Sequence, residues 1–466
     1  MTASYILPLG KTQIEFGFAL DLFVYMHFNK STAMGILSFG KSKNQGKVLL
    51  KEQPACYWEE ESYMAVVPGS GMPDVSADAV GRVESIAGVT LLESRLPEGD
   101  KPGLLRVEYG GEVYEAGFYA GAFSLPEMMS HQGYYFTDDE MDAVRGASSA
   151  LTLFMKFGSD AKMSYHLQVK LAVAMVPDAV ALMDESAERL VCGRWAVLAA
   201  QSAVVPGASA LFTVQAVGGD DGGDVWLHTH GLNRCGLYEL EILASDNQNC
   251  NDHYHIIATL ASRMLDCGAQ APAPGEGMHI GMLSDQRPIV ATYVSWVKAM
   301  GEYDGGVLGG ARDRMESHNG RTAPVFLYTC EDDEKQGRLR KVSVYDGLWG
   351  DNPMFFLSKE ETERMSALAR ERFGLVTYMA KKDCRIILKV GLKTDSAVQG
   401  DEREHIWFEL IEAEGDRFRA RLMQEPYDVA SMHEGDEGTY GIDDVTDWHI
   451  MLDGFAVTPD TAYLLV

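Results

Sequence analysis

The chain has 466 residues, of which 46% are hydrophobic and 23% are charged, a composition typical of folded globular proteins and enough for about three domains of roughly 150 residues. Its net charge of −28 argues against a nucleic-acid or anionic membrane surface as partner, because both are bound through clustered lysines and arginines. The seven cysteines are odd in number and lack CxxC spacing, which favours a reduced cytoplasmic protein.

The first segment, 1–146, predicts a small α+β domain. Its N-terminus lacks the basic region of a signal peptide, and charged residues interrupt the apolar run before the roughly 20 residues that a spanning helix needs. SYMAVVP, from Ser62, predicts a strand, and Ser76 predicts the cap of a helix that stops at Gly88. Further strands follow, two of them joined at Gly110-Gly111.

The central segment, 147–350, predicts a second α+β domain with helices on one face of a mainly antiparallel sheet. The runs ALFTVQAVGG, DVWLHTHG and LYELEILAS predict a meander of three strands, and APVFLYT and RKVSVYDG predict two more. The glycine-rich stretches 268–277 and 305–321 are the best candidates for linkers. Helical spacing of apolar residues occurs at 163–176, 186–200 and 252–267.

The C-terminal segment, 351–466, predicts a small bent sheet or partly closed barrel with one helix. Ser358 and Glu361 have the spacing of a capping box at the start of that helix, and Gly374 is expected to end it. Strand-like runs with tight polar turns follow. Their independent capped helix and strands predict that this segment folds on its own.

The run HIWFELIE indicates which side of the C-terminal sheet contacts the core. His405, Trp407 and Glu409 share one face of the strand, and the apolar residues between them share the other. The apolar face should pack against the core. We therefore expect Phe408 and Trp448 to be buried and Trp407 to be at least partly exposed.

Two parts of the chain resemble known bacterial families. The strand ILKVGLKT, the hairpin EHIWFELIEAEGDRFRARLMQEP, the segment HEGDEGTYGIDDVTDW and the closing DG near the C-terminus resemble domain of unknown function 2314. The stretch 150–265, with VWLHTHGLNRCGLYELEIL at its centre, resembles domain of unknown function 4026. Neither resemblance implies an established activity. Related small domains occur near bacterial toxin–immunity loci, which implies a binding role.

VWLHTHGLNRCGLYELE is the best candidate for a functional site. Strand geometry puts His228 and His230 on one face, and the glycines that follow can return the chain antiparallel. In the structural interpretation, these histidines form a shallow polar surface with Arg234 and with Glu239 or Glu241, the arginine being within salt-bridge reach of a carboxylate. We expect such a surface to bind a ligand or partner without a metal.

Two chemical alternatives use the same stretch. His228, His230 and Cys235, joined by one of His253 and His255, would suit a zinc ion and make the protein a metal-dependent hydrolase. In the other alternative, His230 is a general base and Cys235 a nucleophile, with Glu239 orienting the imidazole and Arg234 lowering the thiol pKa. No cysteine-hydrolase signature surrounds Cys235.

The remaining motifs favour no chemistry. EGDEGTYGIDDVTDW lacks the D-x-[DN]-x-[DN]-G pattern of a calcium loop and predicts a solvated acidic rim. No P-loop, GxGxxG or GxSxG motif occurs, so no cofactor is predicted. We expect a cytoplasmic, multidomain bacterial protein that binds a protein partner, in a regulatory or immunity-type role without catalysis, and that binds neither nucleic acid nor membrane.

Overall fold

The computed structural model shows an α+β chain with three mainly antiparallel sheets, one of them a curled half-barrel, which confirms the predicted fold class. Predictions for the N-terminal 60 residues lie outside the described residues, apart from strand β1 (Val24–Tyr25). Among the described helices, none has the length and apolar character needed to cross a membrane. The described residues are 24–25, 61–127, 129, 134–218, 223–304, 306–310, 321–350, 353–382, 384–396, 403–452 and 454–466.

The chain divides into two compact units. The first combines Glu61–Ala210 with Leu357–Val466, and the second contains Leu211–Phe356 together with β1. These units differ from the predicted domains 1–146, 147–350 and 351–466. Ser149–Lys156, at the start of the predicted central domain, forms a strand in the middle of the first sheet, where it pairs with strands on both sides.

The first sheet of the first unit has the strand order β3-β4-β5-β6-β2-β7-β8, with helices interspersed along the chain. The Ser76 hydroxyl accepts a hydrogen bond from Asp78 N, and Gly110 and Gly111 both have positive φ in the hairpin turn, as predicted. The elements are β2 (Glu61–Pro68), α1 (Ala77–Gly81), β3 (Val89–Arg95), β4 (Gly103–Tyr109), β5 (Glu112–Ala122), α2 (Asp138–Gly146), β6 (Ser149–Lys156), α3 (Ala161–Met175), β7 (Ala179–Asp184), β8 (Arg189–Cys192) and α4 (Gly193–Gln201).

One helix of this part is shorter than predicted. The pattern over 186–200 predicts a single helix, but its first half forms β8, which pairs antiparallel with β7. Helix α4 begins only at Gly193, where a side chain would collide with Ala179 O. The close approach of Gly193 to β7 therefore explains the change from strand to helix at this residue.

The second unit contains one sheet with the strand order β1-β9-β10-β11-β14-β13-β12-β15. Strands β9, β10 and β11 form the predicted antiparallel meander, and β11 pairs parallel with β14. RKVSVYDG, predicted as a strand, instead contains a short 3-10 helix, Val342–Tyr345. The elements are β9 (Thr213–Gly218), β10 (Asp224–His230), β11 (Glu239–Asp246), α5 (Cys250–Cys267), β12 (Met278–Met282), β13 (Pro288–Tyr293), α6 (Trp296–Ala299), β14 (Thr322–Tyr328), α7 (Glu331–Lys335) and β15 (Met354–Phe355).

The C-terminal sheet has the strand order β19-β18-β17-β16-β20-β21. Ser358 caps the first helix, because its hydroxyl accepts a hydrogen bond from Glu361 N. The predicted end at Gly374 is wrong: Gly374 does not adopt positive φ, and it lies inside a second helix. The elements are α8 (Lys359–Glu371), α9 (Phe373–Met379), β16 (Arg385–Lys393), β17 (Arg403–Glu414), β18 (Arg417–Leu422), β19 (Glu437–Gly441), β20 (Val445–Leu452) and β21 (Phe455–Val457).

The face assignment of the C-terminal strands is confirmed. Phe408 and Trp448 are fully buried in the core, and Trp407 on the opposite face is half-buried. The Trp448 indole donates to Ala369 O over 3.0 Å, which ties β20 to helix α8. The alternation of side chains along β17 therefore puts Trp407 on the second face of this sheet, the one opposite the core.

The C-terminal part of the first unit also contacts helices α3 and α4 of the same unit. Leu198 of α4 packs against its core, and Glu371 accepts hydrogen bonds from Ser202 Oγ and Ala203 N at 2.7 and 2.9 Å. Lys162 of α3 forms an ion pair with Glu360 of α8. Independent folding of 351–466 stays a prediction, and these contacts are what an isolated fragment would lose.

Candidate functional site

The histidines of DVWLHTH form a row of rings on one face of β10. The ring centroids of Trp226 and His228 are 4.4 Å apart, and those of His228 and His230 are 4.9 Å apart. In the sheet, His228 lies directly opposite Glu241 of β11. Glu241 accepts a hydrogen bond from the Trp226 indole at 3.1 Å. The strand periodicity thus brings the predicted residues together.

Glu239 stabilises the turn between these two strands. Its Oε1 accepts from Gly231 N at 2.8 Å and Asn233 N at 3.0 Å, while its Oε2 accepts from Thr229 Oγ1 at 2.6 Å. Gly231 and a later glycine of the turn have positive φ. Arg234 donates to Leu211 O over 2.8 Å. These bonds give Glu239 and Arg234 a clear structural role, whatever further role they have.

The predicted polar surface is buried in the structure. His228, Arg234, Glu239 and Glu241 are all buried, at 7% exposed or less, and only His230 is half-buried. A distant segment covers one end of this row: Trp296, Met300, Tyr303, Val307 and Leu308 pack with Trp226 and Leu243, and a Cβ on Gly309 would collide with the Trp226 ring. Whether these side chains bind a ligand stays a prediction.

The structure does not bring together the residues that a zinc site or a cysteine nucleophile would need. The Cys235 thiol donates to Gly231 O, and His253 binds Ser245 Oγ through Nδ1 at 2.7 Å and Asp346 through Nε2 at 2.9 Å. His255 stacks near Phe355 instead. Within the part of the chain that the structure describes, no group of three or more His, Cys, Asp or Glu side chains is arranged to hold a metal ion.

Ser245, His253 and Asp346 form a hydrogen-bonded series that sequence analysis missed. The serine comes from the end of β11, the histidine from the first turn of α5, and the aspartate follows the 3-10 helix Val342–Tyr345. Ser245 is 2% exposed, so no substrate reaches its hydroxyl in this conformation. The series therefore joins three segments of the second unit.

A second cluster of polar side chains lies on the face of the C-terminal sheet opposite its core. In the sheet, Lys389 lies opposite both Trp407 and Asp447. The Lys389 ammonium is 5.5 Å from the Trp407 ring centroid, and the Trp407 and His449 rings are 4.7 Å apart. Sequence analysis grouped Trp407 with His405 but could not add the residues from neighbouring strands, because strand order and register are tertiary properties.

The protonation equilibria of this cluster are strongly shifted. Burial raises the pKa of Asp447 to about 6, and burial together with the nearby Lys389 charge lowers the pKa of His449 to about 4. Burial is also the main cause that lowers the pKa values of Lys389 and His405. Several ionisable groups with shifted pKa values on one sheet face are typical of functional sites.

The most exposed large apolar side chain of the described residues is Tyr427, at 97%. It lies in the acidic loop between β18 and β19. Glu404 accepts hydrogen bonds from Tyr427 N and Asp428 N at 2.7 and 2.8 Å, and Asp395 accepts from Ala430 N at 2.7 Å. The backbone on both sides of Tyr427 is thus held by carboxylates while its ring points into solvent.

Three family models match the chain. A model described as protein of unknown function (DUF4026) N-terminal matches residues 62–206, and its C-terminal counterpart matches 214–326. A model described as an uncharacterized protein conserved in bacteria (DUF2314) matches 376–462. Searches of curated proteins and of solved structures found no match. The matched ranges follow the three sheets in order, and the chain therefore belongs to the DUF4026 family and carries a C-terminal DUF2314 domain.

Proposed function

We propose that the chain is a protein-binding module that uses the loop around Tyr427 to contact a basic protein. The observation that carries the proposal is the 97% exposure of Tyr427 on a backbone that Glu404 and Asp395 hold in place. Tyrosine is enriched among the residues that dominate binding energy at protein interfaces. A backbone that is already ordered loses little conformational entropy on binding, which favours affinity.

The charge of the loop indicates the class of partner. Glu425 and Asp428 flank Tyr427, Glu434 and Asp436 follow on the same loop, and the whole chain carries −28. Arginine side chains stack favourably on tyrosine rings, and acidic surfaces steer basic proteins toward productive encounters. Occupying the surface of a basic protein would be an immunity-type role, as expected from the resemblance.

Site-specific photo-crosslinking in the native host tests this function. A photoreactive phenylalanine analogue replaces Tyr427 in one variant and Tyr378, an exposed tyrosine of α9, in the control. We expect a crosslinked adduct to a basic protein from position 427 and none from position 378. The purified partner should then bind the unmodified chain, with an affinity that falls as salt concentration rises.

Tyr427→Ala should weaken that binding by about tenfold or more, whereas Tyr378→Ala should leave it unchanged. Equal adducts from both positions, an acidic partner, or binding that ignores Tyr427→Ala would each contradict the proposal. Because Tyr427 is almost fully exposed, its substitution should not alter the thermal unfolding of the chain.

A further inference from the structure

We propose that the second face of the C-terminal sheet binds a small phosphate-class oxyanion that carries an acidic hydrogen. The site is formed by Arg370, Lys389, His405 and Thr446, and we call it the Thr446 site. It is separate from the Tyr427 loop and does not depend on the protein-binding proposal.

Arg370, Thr446 and His405 meet at the start of β20, and His405 lies within reach of the charges of Arg370, Lys389 and Arg403. Arg370 of α8 reaches this strand, with Nε donating to Val445 O at 3.0 Å. Thr446 Oγ1 donates to Lys389 O at 3.3 Å and lies 3.1 Å from His405 Nδ1. The register between β16 and β20 shifts here, between Lys389 and its neighbour. This irregularity turns Thr446 toward the polar face, next to the basic side chains.

The positive charges at this site exceed their protein counterions. Arg403 pairs with Asp444 at 3.1 Å, and Asp447 is the carboxylate that lies beside Lys389. Within the described part of the chain, Arg370 and Lys389 form no ion pair of salt-bridge length, and the two Nη groups of Arg370 donate no hydrogen bond. In a chain of net charge −28, such a local excess of cations is unusual, and an anionic ligand would balance it.

The hydrogen bonds of Thr446 determine which nitrogen of His405 carries the proton. The single hydroxyl hydrogen of Thr446 is donated to Lys389 O, so the contact with His405 requires Nδ1–H to donate to Oγ1. Nε2 of the neutral ring then carries a lone pair. Burial and the nearby charges of Lys389, Arg403 and Arg370 lower the pKa of His405, so the ring is neutral at pH 7.

The position of the His405 ring depends on the absence of a side chain opposite it. Gly391 pairs with His405 in the sheet, and a Cβ on Gly391 would lie 3.3 Å from His405 Cε1 and 3.2 Å from Arg403 Cδ. Both side chains therefore lie close over the glycine. This arrangement keeps the imidazole and guanidinium on the same small area of the sheet face.

The combination of cationic donors and one neutral acceptor specifies the ligand class. Arg370 and Lys389 offer donors to anionic oxygens, while His405 Nε2 accepts a hydrogen bond and therefore needs an O–H on the ligand. Inorganic phosphate near neutral pH carries such a hydrogen, and sulfate does not. The site should consequently bind phosphate in preference to sulfate, although both are tetrahedral oxyanions.

Isothermal titration of the purified full chain at pH 7.5 with inorganic phosphate, and separately with sulfate at matched ionic strength, tests the proposal. We expect saturable phosphate binding and sulfate binding weaker by about tenfold or more. Lys389→Met and Arg370→Met should each weaken phosphate binding by about tenfold or more, because each removes a charged hydrogen-bond donor. Arg417→Met, at an exposed arginine of β18, is the matched control and should change nothing.

His405→Phe separates recognition of the ligand hydrogen from general charge attraction. It should abolish the preference for phosphate over sulfate while leaving residual binding of both. Three results would overturn the proposal. The unaltered chain could show no saturable phosphate binding, it could bind phosphate and sulfate with equal affinity, or Arg417→Met could lose binding. The Lys389 ammonium donates no hydrogen bond within the described residues, so Lys389→Met should remain folded. It keeps the test decisive if Arg370→Met does not fold.

Discussion

Glu239→Gln tests whether the VWLHTHGLNRCGLYELE stretch owes its conformation to a buried carboxylate. Glu239 is 7% exposed, and its two oxygens accept hydrogen bonds from Gly231 N, Asn233 N and Thr229 Oγ1. Hydrogen bonds to charged groups contribute about 1.5–3 kcal/mol each. A glutamine keeps one side-chain oxygen, which can still accept from Gly231 N and Asn233 N. Its amide NH2 replaces the oxygen that accepts from Thr229 Oγ1, and the negative charge is lost.

We therefore expect Glu239→Gln to lower the free energy of unfolding by about 2 kcal/mol. Glu239→Ala, which leaves two backbone N–H groups without this acceptor, should lower it by about 4 kcal/mol. The assay is urea denaturation followed by circular dichroism, with hydrogen exchange at Gly231 and Asn233. Exchange of these two amides by local opening should accelerate by about 30-fold in Glu239→Gln, the ratio that corresponds to about 2 kcal/mol.

Glu302→Gln is the matched control, because Glu302 is exposed and its substitution should change stability by less than about 0.5 kcal/mol. If Glu239→Gln unfolds at the same urea concentration as this control, the turn does not depend on the carboxylate. Unchanged exchange at Gly231 and Asn233 would lead to the same conclusion.

Two further predictions concern the C-terminal sheet. Phe408→Ala should lower the free energy of unfolding by about 3–5 kcal/mol, because the ring is fully buried against Tyr440. Trp407 is half-buried, so Trp407→Ala should lower it by less than half of that. A loss below about 1 kcal/mol for Phe408→Ala in urea denaturation would contradict the core assignment. Burial raises the pKa of Asp447 from 3.8 to about 6, so the folded state binds the extra proton and this residue's contribution to stability falls as pH rises from about 4 to about 6. Asp447→Asn should thus gain about 2.4 kcal/mol relative to the unaltered chain between pH 4 and pH 7, and a difference that does not vary with pH would refute a raised pKa.

The differences between prediction and structure have a common physical origin. The apolar residues of 186–200 have helical spacing, but Arg189–Cys192 pairs with the edge of β7 and forms a strand. Tertiary pairing therefore overrides the local helical preference. The row of rings from Trp226 to His230 has the alternation of a half-exposed strand, but apolar residues from far along the chain, such as Trp296 and Leu308, pack against the Trp226 end of it. Local periodicity carries no information about which distant segment will cover a face.

What the sequence determined by itself was local: caps such as Ser76, the Gly110-Gly111 turn, and the two faces of β17 that bury Phe408 and leave Trp407 half-exposed. These follow from backbone geometry and from the period of two along a strand. Tertiary structure decided which strands became neighbours, and hence that Lys389 lies between Trp407 and Asp447. Burial and shifted pKa values arise only from such neighbours, because desolvation depends on everything packed around a group and not on its position in the chain.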